Sequence, residues 1–568
     1  MLAGVVLFFC LLSASYSVVA PPFENPDEVE HARYAVFLAD HRRLPRLLGD
    51  CVRMAFHPPL YHALLAPLAA ATGVDYERVF LGYALNRDPS TPGVILAHGF
   101  PDERFPYADG PRFVHAARLL TILPGVVLLF FTWKLARVVL GGTGPPLVAT
   151  ALAASLPQLQ YISASLNHDA LAAAAGAGVA YASVLLFARP TARIAACAGL
   201  ALSVGLLTKA SSVALVPVPL LALALSPAGP VARRLRLALL VAVVPAVLAG
   251  WWYVEQWREL GSPFPTARLV RDTWVGFGLR RTEPFAGVDY WHFARNVYES
   301  FVFKAGLMHV AGPSVAYVVW LPFVAAALCG LARLARARRT LPLAVGVVCL
   351  TAALLSFNQS VSSPQGRYLF PVLPVLAVAA TSAGLAAFRA RFAVVAGGYV
   401  ALLALTSLAT LVGYAQVFAG IAPRPRPDVA GTARLFCDNE YRQPLEATGD
   451  VLSGLRLRAR ADGERDFVLR VALHRADEPE PVRAVELPGH ALPSELAPVE
   501  VRFPPLPTQP GERLIVSFST RDATPLAKPV LAYEPRTNGD GFSVDGAPQR
   551  GRLVIEEIAA SSIPATPG

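Results

Sequence analysis

Eleven apolar stretches, most of them about as long as a bilayer is thick, decide what this chain can fold into. They are predicted at Leu2–Ala20, Val114–Leu135, Pro146–Ser163, Ala170–Ala188, Ile194–Leu207, Val213–Ser226, Leu237–Tyr253, Ser314–Leu331, Leu341–Phe357, Tyr368–Phe388 and Phe392–Phe418. Of the 568 residues 54% are hydrophobic and only 16% are charged, whereas soluble domains carry about 25% charged residues. The chain therefore reads as a helical, polytopic membrane protein. The fifth and sixth stretches are short, and reading them as one broken helix would invert everything downstream.

Charge favours eleven spans. With the N-terminus inside, the inner loops hold Lys134 and Arg137, then Arg189 and Arg193, then Arg233, Arg234 and Arg236, then Arg333, Arg336, Arg338 and Arg339, and finally Arg389 and Arg391. All five are basic, as cytoplasmic loops should be. The net charge of +10 then reports topology and not nucleic-acid binding. The first stretch reads as a retained helix, since no basic segment precedes it and Pro21 would follow a cleavage after Ala20. The long segments 21–113, 254–313 and 421–568 fall outside. Of the six cysteines, Cys51 and Cys437 lie outside the predicted helices, and their spacing leaves a disulfide between them open. Trp251, Trp252, Trp257 and Trp291 suit an interfacial belt.

Polarity rises sharply at Pro423. Leu455, Leu457 and Ala459 alternate there with Arg456, Arg458 and Arg460. Phe467, Leu469, Val471 and Leu473 share one face, and Val499, Val501 and Phe503 and then Leu514, Val516 and Phe518 repeat the period of two. Pro504-Pro505 and Pro510-Gly511 read as turns. Such strands predict an all-β sandwich of jelly-roll type over 421–568, after a transmembrane domain over 1–420. Its role stays open between a structural cap, an assembly surface and a glycan holder.

Polar groups gather at the outer ends of the predicted spans. Asp27, Glu28, Glu30 and His31 follow the first, and His57-Pro58-Pro59-Leu60-Tyr61-His62 comes next. Asn167-His168-Asp169 joins the third and fourth, Lys209 sits between the fifth and sixth, and Gln365-Gly366-Arg367-Tyr368 opens the tenth. A carboxylate can take a proton from an attacking hydroxyl. Lys and Arg can hold a phosphate as it leaves. Blander readings stand beside these: Lys209 and Arg367 as headgroup contacts, Asp27 and Asn167 or Asp169 as helix caps, and His57 as a loop residue extended by the prolines after it. If this face lies outside the cytoplasm, nucleotide sugars and ATP are excluded, and a substrate must arrive through the lipid.

Pro26-Asp27-Glu28-Val29-Glu30-His31, Pro58-Pro59-Leu60-Tyr61, Ser163 through Ala170, Gly205-Leu206-Leu207-Thr208-Lys209, Ser300-Phe301-Val302 through Gly306-Leu307-Met308, and Gln365 through Pro371 occur in that order. The set resembles the GT-C superfamily of multi-span glycosyltransferases, and within it a bacterial branch that carries a C-terminal sandwich. The resemblance implies an inverting transfer of a sugar from a polyprenyl-phosphate donor to a glycan, lipid or protein acceptor, on the outer face of a bacterial cytoplasmic membrane. It implies Asp27 as catalytic base, with Glu28 and Asp169 as further acids. Arg367, Lys209, His57 and Tyr368 would bind the donor phosphate, although the family often has a basic residue where His57 stands. His31, Asn167 and His168 would orient the acceptor. No cofactor is required, and a divalent cation is left open. Two other classes are a flippase of lipid-linked sugars, which predicts matching broken helices at mid-membrane, and a non-catalytic envelope assembly protein.

Overall fold

The computed structural model describes residues 1–46, 50, 52–74, 86, 88–264, 287–359, 361–423, 432–434, 440–462, 465–476, 478–523, 528–534, 543–544, 547–548 and 552–559. Cys51 and Cys437 lie outside these, and Cys10, Cys197, Cys329 and Cys349 are free thiols. The chain divides into two compact units, one of Met1–Leu44, Met54–Val79 and Ala84–Arg424, the other of Pro45–Arg53, Phe80–Tyr83 and Pro425–Gly568.

The first unit is helical. Its opening helices are α1 (Leu2–Val19), α2 (Glu28–His41), α3 (Leu60–Thr72) and α4 (Asp109–Leu140), followed by α5 (Gly144–Ala154), α6 (Pro157–Ser163), α7 (Asp169–Ala188), α8 (Ala192–Leu206), α9 (Pro217–Leu225) and α10 (Val231–Leu260). Tyr290–Val302, Ser314–Arg336, Leu341–Asn358, Leu373–Phe388 and Phe392–Phe418 complete it. Each of the eleven predicted stretches is helical over most of its length. By length and composition, 7 helices among the described residues can cross a membrane, with Gly366–Phe418 taken as one stretch of 53 residues. The chain is a multi-pass membrane protein.

The third predicted span differs from expectation, because it is two helices. Pro157 has no N–H and takes the first position of the helix that restarts after Leu156. The carbonyls freed at the break are taken by side chains: Gln160 Nε2 donates to Ala154 at 2.8 Å, and Ser407 Oγ donates to Ser155. The fifth and sixth spans are separate. A Cβ placed on Gly205 would stand 3.1 Å from Ser212, so the chain doubles back at Thr208-Lys209. Trp252 is buried, unlike Trp251, Trp257 and Trp291, because it shares the inward face of α10 with Val241, Pro245, Ala249 and Gln256. The interfacial belt accordingly loses that member.

Helix α4 fixes the two membrane faces. Arg118 lies near one end and pairs with Glu28, while near the other end the Val138 carbonyl accepts from Arg339 Nη2 at 2.8 Å. At about 1.5 Å per residue these positions are about 30 Å apart, the thickness of a hydrocarbon core. The acids thus cluster at one face, and Arg339, from one of the basic loops, stands at the other.

The second unit is a sandwich of two antiparallel sheets. After the short hairpin β1 (Lys304–Ala305) and β2 (Val310–Ala311) in the helical unit come β3 (Thr432–Arg434), β4 (Tyr441–Glu446), β5 (Val451–Asp462), β6 (Val468–Arg475), β7 (Arg483–Pro488), β8 (Ala497–Pro507) and β9 (Arg513–Arg521). Strands β10 (Lys528–Glu534), β11 (Ser543–Val544), β12 (Ala547–Pro548), β13 (Arg552–Leu553) and β14 (Ile555–Ala559) follow. One sheet runs β13-β10-β5-β14, with β3 on β10 and β8 on β5; the other runs β12-β11-β4-β9-β6-β7. Leu455, Leu457 and Val501 of the first pack with Leu469, Val516 and Phe518 of the second in one core. Pro504-Pro505 is not a turn but part of β8. That strand pairs only with β5 among the described residues, and an edge tolerates residues that cannot donate. Pro510-Gly511 does turn, with Gly511 at φ 83°.

Candidate functional site

Two carboxylates and two cations meet where the loops join the helices. Asp27 precedes α2, its backbone left-handed at φ 63° and its carbonyl accepting the N–H groups of Glu30 and His31. Its side chain makes no cap. Instead Arg367 Nη2 donates to Asp27 Oδ2 at 2.9 Å. Asp169 opens α7, where Asn167 Oδ1 accepts its N–H at 2.7 Å. Lys209 Nζ donates to Asp169 Oδ1, and Arg367 Nε stands 3.4 Å from Asp169 Oδ2. Lys209 also lies over the Tyr368 ring, 4.2 Å from its centroid. The four charges cancel.

Arg367 is the informative member. Its side chain is 5% exposed, and its Nε and Nη1 find no hydrogen-bond partner. Buried polar groups are normally satisfied, and a guanidinium whose Nε has only the Asp169 ion pair and whose Nη1 has no partner is suited to an oxyanion. Backbone packing sets its place. Ser300 Oγ accepts the Gly366 N–H at 2.8 Å, and a Cβ on Gly366 would overlap Val297 and Phe301.

Glu28, next in the chain, turns away from Arg367. Its carboxylate accepts from Phe23 N, Asn25 Nδ2, Leu166 N and both Nε and Nη2 of Arg118, at 2.6 to 3.1 Å. Five donors occupy its lone pairs, and the pair with Arg118 is fully buried. Through these contacts Glu28 joins the segment before α2, the turn before α7 and helix α4. Arg118 also donates to the carbonyls of Ser17, Ala20 and Pro21, left open where α1 ends. Sequence reading missed Arg118, although an Arg inside an apolar helix is itself a signal.

Imidazoles line the adjoining wall. His31 Nδ1 is 2.8 Å from His62 Nε2, and its Nε2 is 3.2 Å from His168 Nδ1. His57 packs between Phe56 and His168, with ring centroids 4.1 and 4.5 Å away. Burial, the main cause, holds His31 down to about 4 and His62 and His168 well below the ordinary imidazole value. These rings are neutral at pH 7, so His57 and its neighbours form a polar wall and Arg367 and Lys209 carry the positive charge. Among the described residues no three of His, Cys, Asp and Glu are arranged to hold a metal ion.

A second buried histidine site ties the first loop together. His98 lies between Glu103 (2.7 Å) and Glu24 (2.9 Å). The carboxylates also accept backbone N–H groups, Glu24 from Ile95 and Leu96, Glu103 from Gly99 and Phe100. Burial opposes charge on His98, but the two carboxylates outweigh it and raise its pKa. The charged form is thus favoured on folding. Its stabilisation is full below about pH 6.5 and is lost as pH rises through the folded value. Hydrogen exchange, corrected for intrinsic rate, should show amides 95–103 losing protection as pH rises above about 6.5, and His98→Gln should abolish that trend. Constant protection in the unmodified protein would contradict it.

No protein-family model matches the chain. No curated protein matches it either. Among solved structures it is similar to ArnT from Cupriavidus metallidurans, in crystal structures bound to undecaprenyl phosphate and in the apo state. Each comparison gives 15% identity, a TM-score of 0.44, and coverage of 73% of this chain and 76% of ArnT.

Proposed function

We propose that this protein is a membrane glycosyltransferase of GT-C type that takes its sugar from a polyprenyl-phosphate donor at the extracytoplasmic face. The observation that carries this reading is Arg367, buried between Asp27 and Asp169, with its Nη1 unpaired. A donor phosphate would dock on Nη1, leaving the contacts of Nη2 to Asp27 and of Nε to Asp169 in place. Lys209, held by Asp169 and Tyr368, would add a second charge.

The two acids divide the work by exposure. The Asp27 side chain is 39% exposed and Asp169 only 4%. Asp27 can meet an acceptor hydroxyl, and Asp169 holds the cations in place. In one displacement the acceptor oxygen bonds to the anomeric carbon as the bond from that carbon to phosphate oxygen breaks. The hydroxyl proton passes to Asp27, the phosphate keeps the bonding electrons, and configuration inverts. The basic loops at the opposite membrane face favour an outward-facing site in a bacterial cytoplasmic membrane. The acceptor would be an envelope glycan, lipid or protein.

The test is transfer by purified protein in lipid, with radiolabelled polyprenyl-phosphate sugars and envelope extract as acceptor. Label moving to acceptor, with release of polyprenyl phosphate, is the expected result. Cytoplasmic accessibility of a cysteine placed beside Asp27 would overturn the reading.

A further inference from the structure

A single carboxylate joins the two loops that deliver the candidate acids. The segment Pro21–Asp27 contains two non-glycine residues in the left-handed region, Phe23 at φ 68° and Asp27 at φ 63°. L side chains keep that conformation only where their surroundings over-determine it. Here the surroundings converge on Glu28, which accepts the Phe23 N–H and the Asn25 amide. The same carboxylate accepts the Leu166 N–H, three residues before Asp169. Asn25 is tied in turn to Phe392–Phe418 by the Tyr414 hydroxyl, which donates to its Oδ1 at 3.0 Å.

Arg118 closes the device. All five of its N–H groups are used, two on Glu28 and the rest on three carbonyls at the end of α1. Helix α4, which carries it, is 32 residues long and apolar enough to cross a membrane. One guanidinium therefore fixes where α1 stops, how the loop bends twice, and how far that loop lies from the turn ahead of α7. We infer that Arg118, through Glu28, is a positioning residue that sets the spacing of Asp27 and Asp169 around Arg367. This assignment of roles rests on the transferase reading.

The experiment uses full-length protein in lipid carrying Arg118→Lys, Asn25→Ala or Tyr414→Phe, the last two being milder changes that keep the buried charge pair. Arg118→Lys should speed hydrogen exchange in 21–31 and 164–169 together, because both segments lose one shared anchor. Each variant should lower kcat by about 10- to 100-fold, the usual cost of a misplaced reacting group. In an Asp27→Asn background the same changes should cause no further loss, since they act through that carboxylate. Losses that multiply in that background would overturn the inference. So would unchanged exchange in either segment of Arg118→Lys, whether or not transfer is seen. A wild-type protein without transfer would count against the proposed reaction alone, and the exchange result would still decide the clamp.

Discussion

Sugar transfer by the Asp27→Asn protein is expected to fall about 100- to 10,000-fold, the range for loss of a general base. The amide keeps the shape of the carboxylate and can still face Arg367, but it cannot hold the acceptor proton. Arg367→Ala should lose about 100- to 1,000-fold by a different route, through loss of donors to the departing phosphate. The two are distinguishable. Asp27→Asn should leave equilibrium binding of the donor unchanged, whereas Arg367→Ala should weaken it. Arg367→Lys should recover little, because one ammonium cannot face Asp27 and Asp169 and also present a fixed donor to the phosphate, as the planar guanidinium does. Turnover of Asp27→Asn within threefold of wild type, a margin far below the general-base range, would sink the mechanism.

The second large effect concerns stability. Arg118→Ala should cost about 3–5 kcal/mol, because it strands the fully buried Glu28 as an uncompensated charge. It also opens three carbonyls at the end of α1. Reversible unfolding in lipid, or a fall in apparent Tm in detergent, measures this. Replacing both partners by apolar side chains of similar volume should restore much of the loss. The loop bends at Phe23 and Asp27 would still lack their anchor, so folding would return without activity. A cost below about 1 kcal/mol for Arg118→Ala would show that the pair is solvated in the membrane-bound protein.

Much of the architecture was legible in the chain. Apolar runs and Arg-bearing turns located the helices, since a backbone in lipid must satisfy its own hydrogen bonds. Period-two patterns located the strands and named their inward residues, as Leu455, Leu457, Val501 and Leu514 show. Asp27, Asp169, Lys209 and Arg367 were named from their common depth at helix ends, and ion pairs bring all four together. The break at Pro157 and the burial of Trp252 escaped, because each depends on how a helix meets its neighbours.

The burial of Glu28 against Arg118, beside a half-exposed Asp27, was not legible at all. Adjacent in sequence and alike in chemistry, they differ only in what surrounds them. The sequence by itself determined that carboxylates, imidazoles and cations would stand at one end of a helical bundle. Hydrophobic periodicity and charge placement are local properties. Only the tertiary structure decided that Glu28 turns inward to a buried Arg118, while Asp27 turns to Arg367 and stays partly exposed. That decision is made by Phe23, Leu166, Arg118 and Arg367, all distant from one another in the chain. The free energy of a charge is set by the partners and dielectric around it, and no pattern along the chain records them.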